Sequence, residues 1–357
     1  MADYLMFLGT QVRANGKTPS LFSYRFDDDT GKATPLAAQG GIDNPTWVAV
    51  DAHRPRLYAA SEVGEWNEGT VSAYDFDAAT GALRYVNKQS SLGSTTCHLG
   101  LSPDGRFLAC ANYAVISPDE RPDQSSALYV LGAGELPPAI GRARQTGTGP
   151  NAQRQERSHG HCALFSPNSR ILWVADLGLD RLCAYTVDGA GLRATPDRDV
   201  VFEGGRGPRH AAFHPDGKTI FVVHELRAGV SVCAFDGARA THVETVDMAY
   251  PGPVDPAALQ VSPDGRHVYA SVRTAGEIVG FAVGEDRRLI EIGRWACGGK
   301  TPRDARLSPS GRHLLVANQD AGRVTVFRRD PLSGALIPTG EEIRAERPMC
   351  VAFHQPR

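Results

Sequence analysis

Ser102-Pro103-Asp104-Gly105-Arg106, followed by Phe107-Leu108-Ala109-Cys110-Ala111-Asn112, is the stretch on which the fold turns. Proline at the second position fixes φ, and Asp-Gly supplies a tight reversal. The pentapeptide therefore joins two apolar strands. The same phrase recurs as His214-Pro215-Asp216-Gly217-Lys218 and Ser262-Pro263-Asp264-Gly265-Arg266. Ser166-Pro167-Asn168-Ser169-Arg170 and Ser308-Pro309-Ser310-Gly311-Arg312 are drifted copies, and Asp51 to Arg56 is a looser one.

The first apolar residue after each turn serves as a ruler: Leu57, Phe107, Ile171, Ile220, Val268 and Leu314. The intervals are 50, 64, 49, 48 and 46 residues. A further first strand, Pro348 to Phe353, opens a copy that the chain does not complete. Its partner is expected at Tyr4 to Leu8, because Leu314 through the end and on to Leu5 spans 48 residues, and Leu5 to Leu57 spans 52. A third strand follows each pair, as in Thr70–Phe76, Arg181–Val187 and Arg323–Phe327. Hairpin turns such as Asp77 to Gly81 then lead to a fourth. Four strands per repeat is a propeller blade. Independent β-sandwiches would not require a shared register. The expectation is an all-β, seven-bladed β-propeller, one domain over residues 1–357, closed by pairing of its N- and C-terminal strands.

The third interval carries a surplus between Tyr113 and His159. It contains Ser117 to Pro122 and Gly147 to Arg157, both polar and rich in turn formers. Long insertions in tight scaffolds are often functional.

Bulk properties narrow the function. A net charge of −2 gives no reason to expect a nucleic-acid partner. Seven cysteines without a Cys-x-x-Cys pair read as buried free thiols, which points to a reducing compartment and the cytoplasm. The N-terminus has no basic segment ahead of its short apolar run, and no apolar run approaches a membrane span.

In a propeller the first strand of each blade lines the central channel, and the second runs antiparallel to it. First-strand starts and second-strand ends therefore meet at one face. Those positions collect His98, His159, His161, Arg209 and Arg303 with Glu62, Tyr113, Asp176, Glu225, Arg273 and Gln319. Several arginines around one mouth predict an anionic small ligand. Histidine is the natural proton carrier near neutral pH, and neighbouring arginines disfavour its charged form. Each residue also has a plainer reading: Glu225 can pair structurally with Arg209, and His159 with His161 can pack or cap a turn. His53, His267 and His313 belong to the opposite, turn-bearing face.

The set resembles the propeller lactonase family, which includes propeller-type 6-phosphogluconolactonases and the fungal 3-carboxy-cis,cis-muconate lactonizing enzyme. The resemblance covers almost the whole chain. It is carried by Asn44-Pro-Thr-Trp47, Cys97-His98 with Ala111-Asn-Tyr113, and His159-Gly-His161 with Phe165-Ser-Pro167 and Ala175-Asp-Leu177. Gly207 to Phe213 with His224-Glu-Leu226, Ser262-Pro-Asp-Gly-Arg266 with Arg273, and Thr301-Pro-Arg303 complete it. It implies catalytic residues His161, Arg209, Glu225 and Arg273, without metal or cofactor. Substrate-binding candidates are His98, Arg157, His159, Arg303 and Gln319. The chain departs from the family pattern at Gly160, where proline is usual, and at Ala258, Gln260 and Val272 in the fifth blade.

The expected activity is hydrolysis of an anionic sugar lactone, most like that of a 6-phosphogluconolactonase. The partner is an anionic small-molecule lactone or its acid, with no nucleic acid, membrane or obligatory protein partner. Alternatives are a cycloisomerase that lactonizes a muconate-type dicarboxylic acid, a non-catalytic interaction platform, and a metal-dependent lactonase using Glu62, Asp176 and Glu225.

Overall fold

Each Ser-Pro-Asp-Gly turn joins the two innermost strands of one sheet. The computed structural model describes residues 3–14, 18–114 and 123–355. Within them the strands form seven antiparallel sheets. Their inner strands are Pro45–Val50, Thr96–Leu101, Gly160–Phe165, Pro208–Phe213, Pro256–Val261, Pro302–Leu307 and Pro348–Phe353. These define blades one to seven of a β-propeller.

The turn is held the same way in blades two, three and five. Ser102 Oγ donates to Asp104 and accepts from the Phe107 amide. Ser262 repeats this with Asp264 and His267, and Ser166 with Asn168 and Ile171. Gly105 and Gly265 take φ of 69° and 72°, a left-handed conformation suited to glycine. Histidines beside these turns reach the next blade. His53 Nε2 meets Pro103 O at 3.2 Å, and His214 Nε2 meets Gly265 O at 3.1 Å.

Closure follows the register expected from the intervals. Met6 faces Phe353 and Leu8 faces Val351. The seventh blade is therefore Pro348–Phe353, Asp3–Thr10, Leu21–Asp27 and Ala33–Gln39 in order, and no blade edge is left open at the seam. The apolar core is divided among the seams between blades. Leu5 and Phe7 pack toward blade one, while Met6 and Leu8 pack toward blade six. Successive side chains of one strand thus serve two interfaces, which is why second strands read as unbroken apolar runs.

Two features depart from the plain repeat. Blade three carries a fifth strand, Val200–Val201, paired with Arg181 and Leu182. Within the insertion, Ser117 to Pro122 lies outside the described residues. Residues 147–157 are described and are pinned by the fully buried Gln155, whose Nε2 donates to Leu177 O. No helix in the described residues is long and apolar enough to cross a membrane.

A register shift near the start of every inner strand sets up the site. It skips Thr46, Cys97, His161, Arg209, the Ala257–Ala258 pair, Arg303 and Met349 in turn. A β-bulge of this kind re-aims the side chain it leaves unpaired. Seven bulges at one level form a ring at the channel mouth.

Candidate active site

The bulge ring carries His161 and Arg209 in adjacent blades, with Arg303 two blades further round. The residues that directly follow the second strands are Glu62, Tyr113, Leu177, Glu225, Arg273, Gln319 and Gln11. They meet the ring from the neighbouring chain segment.

Glu225 is the charge centre. It is buried, and its carboxylate accepts from Arg209 Nε at 2.8 Å, Arg154 Nη2 at 2.5 Å and Arg273 Nη2 at 3.0 Å. Burial alone would raise its pKa, but Arg273 and Arg209 override this and hold the carboxyl well below the usual range. Arg209 uses a second nitrogen, Nη1, to reach Ala257 O at 2.7 Å. Arg303 pairs with Glu62 at 3.1 Å, and Thr46 donates to the same carboxylate. Arg273 also touches Asp255 at 3.3 Å. Four guanidiniums facing Glu225, Glu62 and Asp255 leave one positive charge in excess.

His161 is the imidazole beside this cluster. Its ring packs edge-on against Tyr113 and His210, and Cys97 Sγ lies 3.8 Å from Nδ1. Among the described residues Nε2 has no hydrogen-bond partner within the protein. Burial, then Arg209, drives its pKa well below the ordinary histidine value, although Glu225 opposes this. His161 is thereby held neutral at pH 7, and with its proton on Nδ1 the Nε2 lone pair is free.

One layer deeper, the channel is plugged by rings. Trp47 lies 4.1 Å from His98 and 5.1 Å from His210, and the two histidines are 5.3 Å apart. His98 Nδ1 accepts from the Ala163 amide, which leaves the proton on Nε2. Burial brings its pKa down to about 3, helped by Arg306 and Arg209.

The structure thus brings together His161, Arg209, Glu225 and Arg273, with Arg303 on the adjoining wall. It separates the other candidates. His98 sits below the ring because the bulge assigns the mouth position to Cys97. His159 precedes its strand, so it does not share the orientation of His161. It stacks on Tyr113 at 4.2 Å and contacts Tyr113 O and Glu156. Arg157 turns to Glu156 at 3.3 Å and lines a separate small cavity with Ser125 and Gln145. Gln319 donates to Gln11 at 2.9 Å in the wall between blades six and seven. Asp176 is wholly buried and accepts from the amides of His159 and Gly178, an architectural role.

Two residues escaped the sequence reading. Arg154, from the 147–157 segment, reaches both Glu225 and the Tyr113 hydroxyl, the latter at 3.3 Å. His210 centres the ring plug. A signal for His210 existed: aligning Pro45, Thr96 and Pro208 as strand starts equates His210 with Trp47 and His98. For Arg154 the only signal was its place in the insertion. Gly160 has a local reason as well, since a Cβ there would lie 2.8 Å from Ser125 O.

A metal centre finds little support in the donor set. Among the described residues no three His, Cys, Asp or Glu side chains are grouped to hold an ion. Glu62 and Glu225 are both engaged by arginine.

Fold and mouth together define a class: a seven-bladed propeller with an arginine-lined channel mouth beside a neutral imidazole. Residues 6–353 match the family described as "Lactonase, 7-bladed beta-propeller", and the chain belongs to it. It is 28% identical to a 6-phosphogluconolactonase of Bacillus subtilis over 99% of this chain and 100% of that one. It is 29% identical to a 6-phosphogluconolactonase of Formosa agariphila over 95% and 96% of the two chains. Among solved structures, it is similar to a Pseudomonas aeruginosa periplasmic gluconolactonase (TM-score 0.88, 30% identity, 99% of each chain). A putative 6-phosphogluconolactonase of Bacteroides fragilis gives a TM-score of 0.89 at 26% identity over 98% of each chain.

Proposed function

We propose that the chain hydrolyses an anionic sugar lactone, most like 6-phosphogluconolactone, without a metal ion. One observation carries the mechanism: three guanidiniums occupy the Glu225 carboxylate, so neutral His161 is the proton acceptor left at the mouth. Glu225 acts as an anchor for Arg209, Arg154 and Arg273.

In this reading the excess positive charge draws the substrate's anionic group to Arg154 and Arg303, the more exposed of the arginines. His161 Nε2 takes a proton from water, and the hydroxide adds to the lactone carbonyl. The tetrahedral oxyanion is stabilised by Arg273, a role for which one donor is worth about 2.7–4 kcal/mol. Collapse breaks the bond from the carbonyl carbon to the ring oxygen. The ring oxygen takes the proton back from His161, releasing the open hydroxy acid. Bound anion also offsets the pull of the arginines on His161 and strengthens it as a base.

The names of the Bacillus and Formosa relatives support a phosphorylated substrate; the Pseudomonas neighbour is named for a gluconolactone. The seven cysteines are all unpaired and buried, which supports a cytoplasmic setting. The test is turnover of phosphorylated and free aldonolactones by purified protein treated with chelator. Hydrolysis of the phosphorylated lactone with the higher kcat/KM is expected. Inertness toward both would overturn the proposal. So would turnover restricted to a muconate-type acid with solvent deuterium entering the lactone ring.

A further inference from the structure

The channel has a second cavity on the turn-bearing face. It encloses about 690 Å³ and is lined by the distal halves of inner strands, with Trp47, His98, Phe213, Arg306 and Phe353 among its walls. The volume suits a small ligand. The ring plug of Trp47, His98 and His210 closes its floor and divides it from the mouth.

Its charge is one-sided. None of the side chains lining it is acidic. Arg306 lies with its guanidinium carbon 5.6 Å from the Trp47 ring, and its Nε donates to Val351 O at 3.0 Å. Among the described residues it has no carboxylate within ion-pair distance. Asp304, two residues earlier, instead accepts from the Val351 amide at 2.9 Å. Asp216, which His214 contacts at the rim, is taken by Arg287 at 2.9 Å. Elsewhere in the channel, by contrast, Arg209, Arg273 and Arg303 all have acidic partners.

A partly buried guanidinium without a counter-charge, set against aromatic walls, calls for an anion with an apolar body. We propose that this cavity is a binding site for a small aromatic carboxylate, distinct from the mouth. The carboxylate meets the free nitrogens of Arg306, and the ring packs on Phe213 and Phe353. His98 is already committed to Ala163 and does not supply charge.

Isothermal titration of the full-length protein with 2-naphthoate tests this, with 2-naphthamide as the neutral counterpart. Wild type should bind the acid at one site, at least about tenfold more tightly than the amide, the size of one charge-assisted bond. Arg306→Met should remove that preference while lactone turnover at the mouth is retained. Arg306→Lys, which keeps the charge, should retain a preference for the acid, and a wild-type thermal midpoint in Arg306→Met excludes a folding defect in that variant. Competition by 6-phosphogluconate, equal affinity for acid and amide, or unaltered binding in Arg306→Met would each overturn the proposal. Absence of binding up to millimolar 2-naphthoate would do the same.

Discussion

The two faces of the disc are built by the same seven strand pairs and treat sequence in opposite ways. On the turn face one solution recurs in blades two, three and five: a serine hydroxyl donates to an acidic or amide side chain and accepts from a strand amide, and a left-handed residue completes the turn. On the mouth face the backbone also repeats, with a bulge in every blade, but the residues it presents do not. Thr46, Cys97, His161, Arg209, Ala257, Arg303 and Met349 have little in common. Where the repeat is kept, residues serve the fold. Where backbone repetition outlasts residue repetition, the residues serve chemistry.

The largest expected effect breaks the comparison at the mouth. His161→Gln keeps a polar side chain of similar reach and removes the proton acceptor. Lactone kcat should fall by about 10²–10⁴-fold with Tm nearly unchanged. Loss of less than tenfold in kcat would move the base elsewhere. The pH profile gives the same test in wild type. Because the His161 pKa lies well below 6.5, kcat/KM should stay level as pH falls through 6.5 and decline only in more acid solution.

Next in size is Arg209→Met. It leaves Glu225 buried with two of its three guanidiniums and strands Ala257 O. Removing one partner of such a pair costs about 3–5 kcal/mol. Chemical denaturation should show that loss, together with a higher KM. A variant as stable as wild type would mean that Arg154 and Arg273 alone satisfy Glu225.

A third contrast concerns acid. His98, His161, His210 and His224 are all held below their ordinary pKa, first by burial. Their folded values lie under the unfolded value of about 6.5. The unfolded chain therefore binds more protons, so stability is complete above pH 6.5 and is lost as pH falls. Each such histidine contributes a slope of up to about 1.4 kcal/mol per pH unit. Denaturation midpoints at pH 7, 6 and 5 should drop steadily, and His98→Gln should flatten the slope. Midpoints unchanged from pH 7 to 5 would mean that these imidazoles are reached by water.

Much of this was legible in the sequence because a propeller repeats. The Ser-Pro-Asp-Gly turns marked six strand pairs, and their spacing located the seventh across the termini. The pairing of Met6 with Phe353 follows directly from that count. His161, Arg209, Glu225 and Arg273 were legible because they sit at strand ends, where topology alone dictates the meeting point. The limits were physical as well. A bulge shifts side-chain direction by one residue, and no residue type marks it, so His98 was assigned the place that Cys97 holds. Arg154 lies in a loop whose path depends on Gln155 finding Leu177 O, a contact without periodicity. The triple clamp on Glu225 was invisible for the same reason, and with it the argument that the carboxylate is an anchor.

The smallest expected effect lies on the turn face and completes the comparison. Ser262→Ala removes the hydroxyl that donates to Asp264 at 2.5 Å and accepts from the His267 amide at 2.9 Å. Asp264 retains Arg329 at 2.8 Å and the Arg266 amide, so its charge stays compensated. The loss should therefore be about 1 kcal/mol, near that of an ordinary hydrogen bond. The turn lies at the far end of its strands from Arg273, and the strands between are buried on both sides. Lactone kcat and KM should be unaltered. A change in KM would show that strain at a turn is transmitted through blade five to Arg273, and the two faces would no longer be separable.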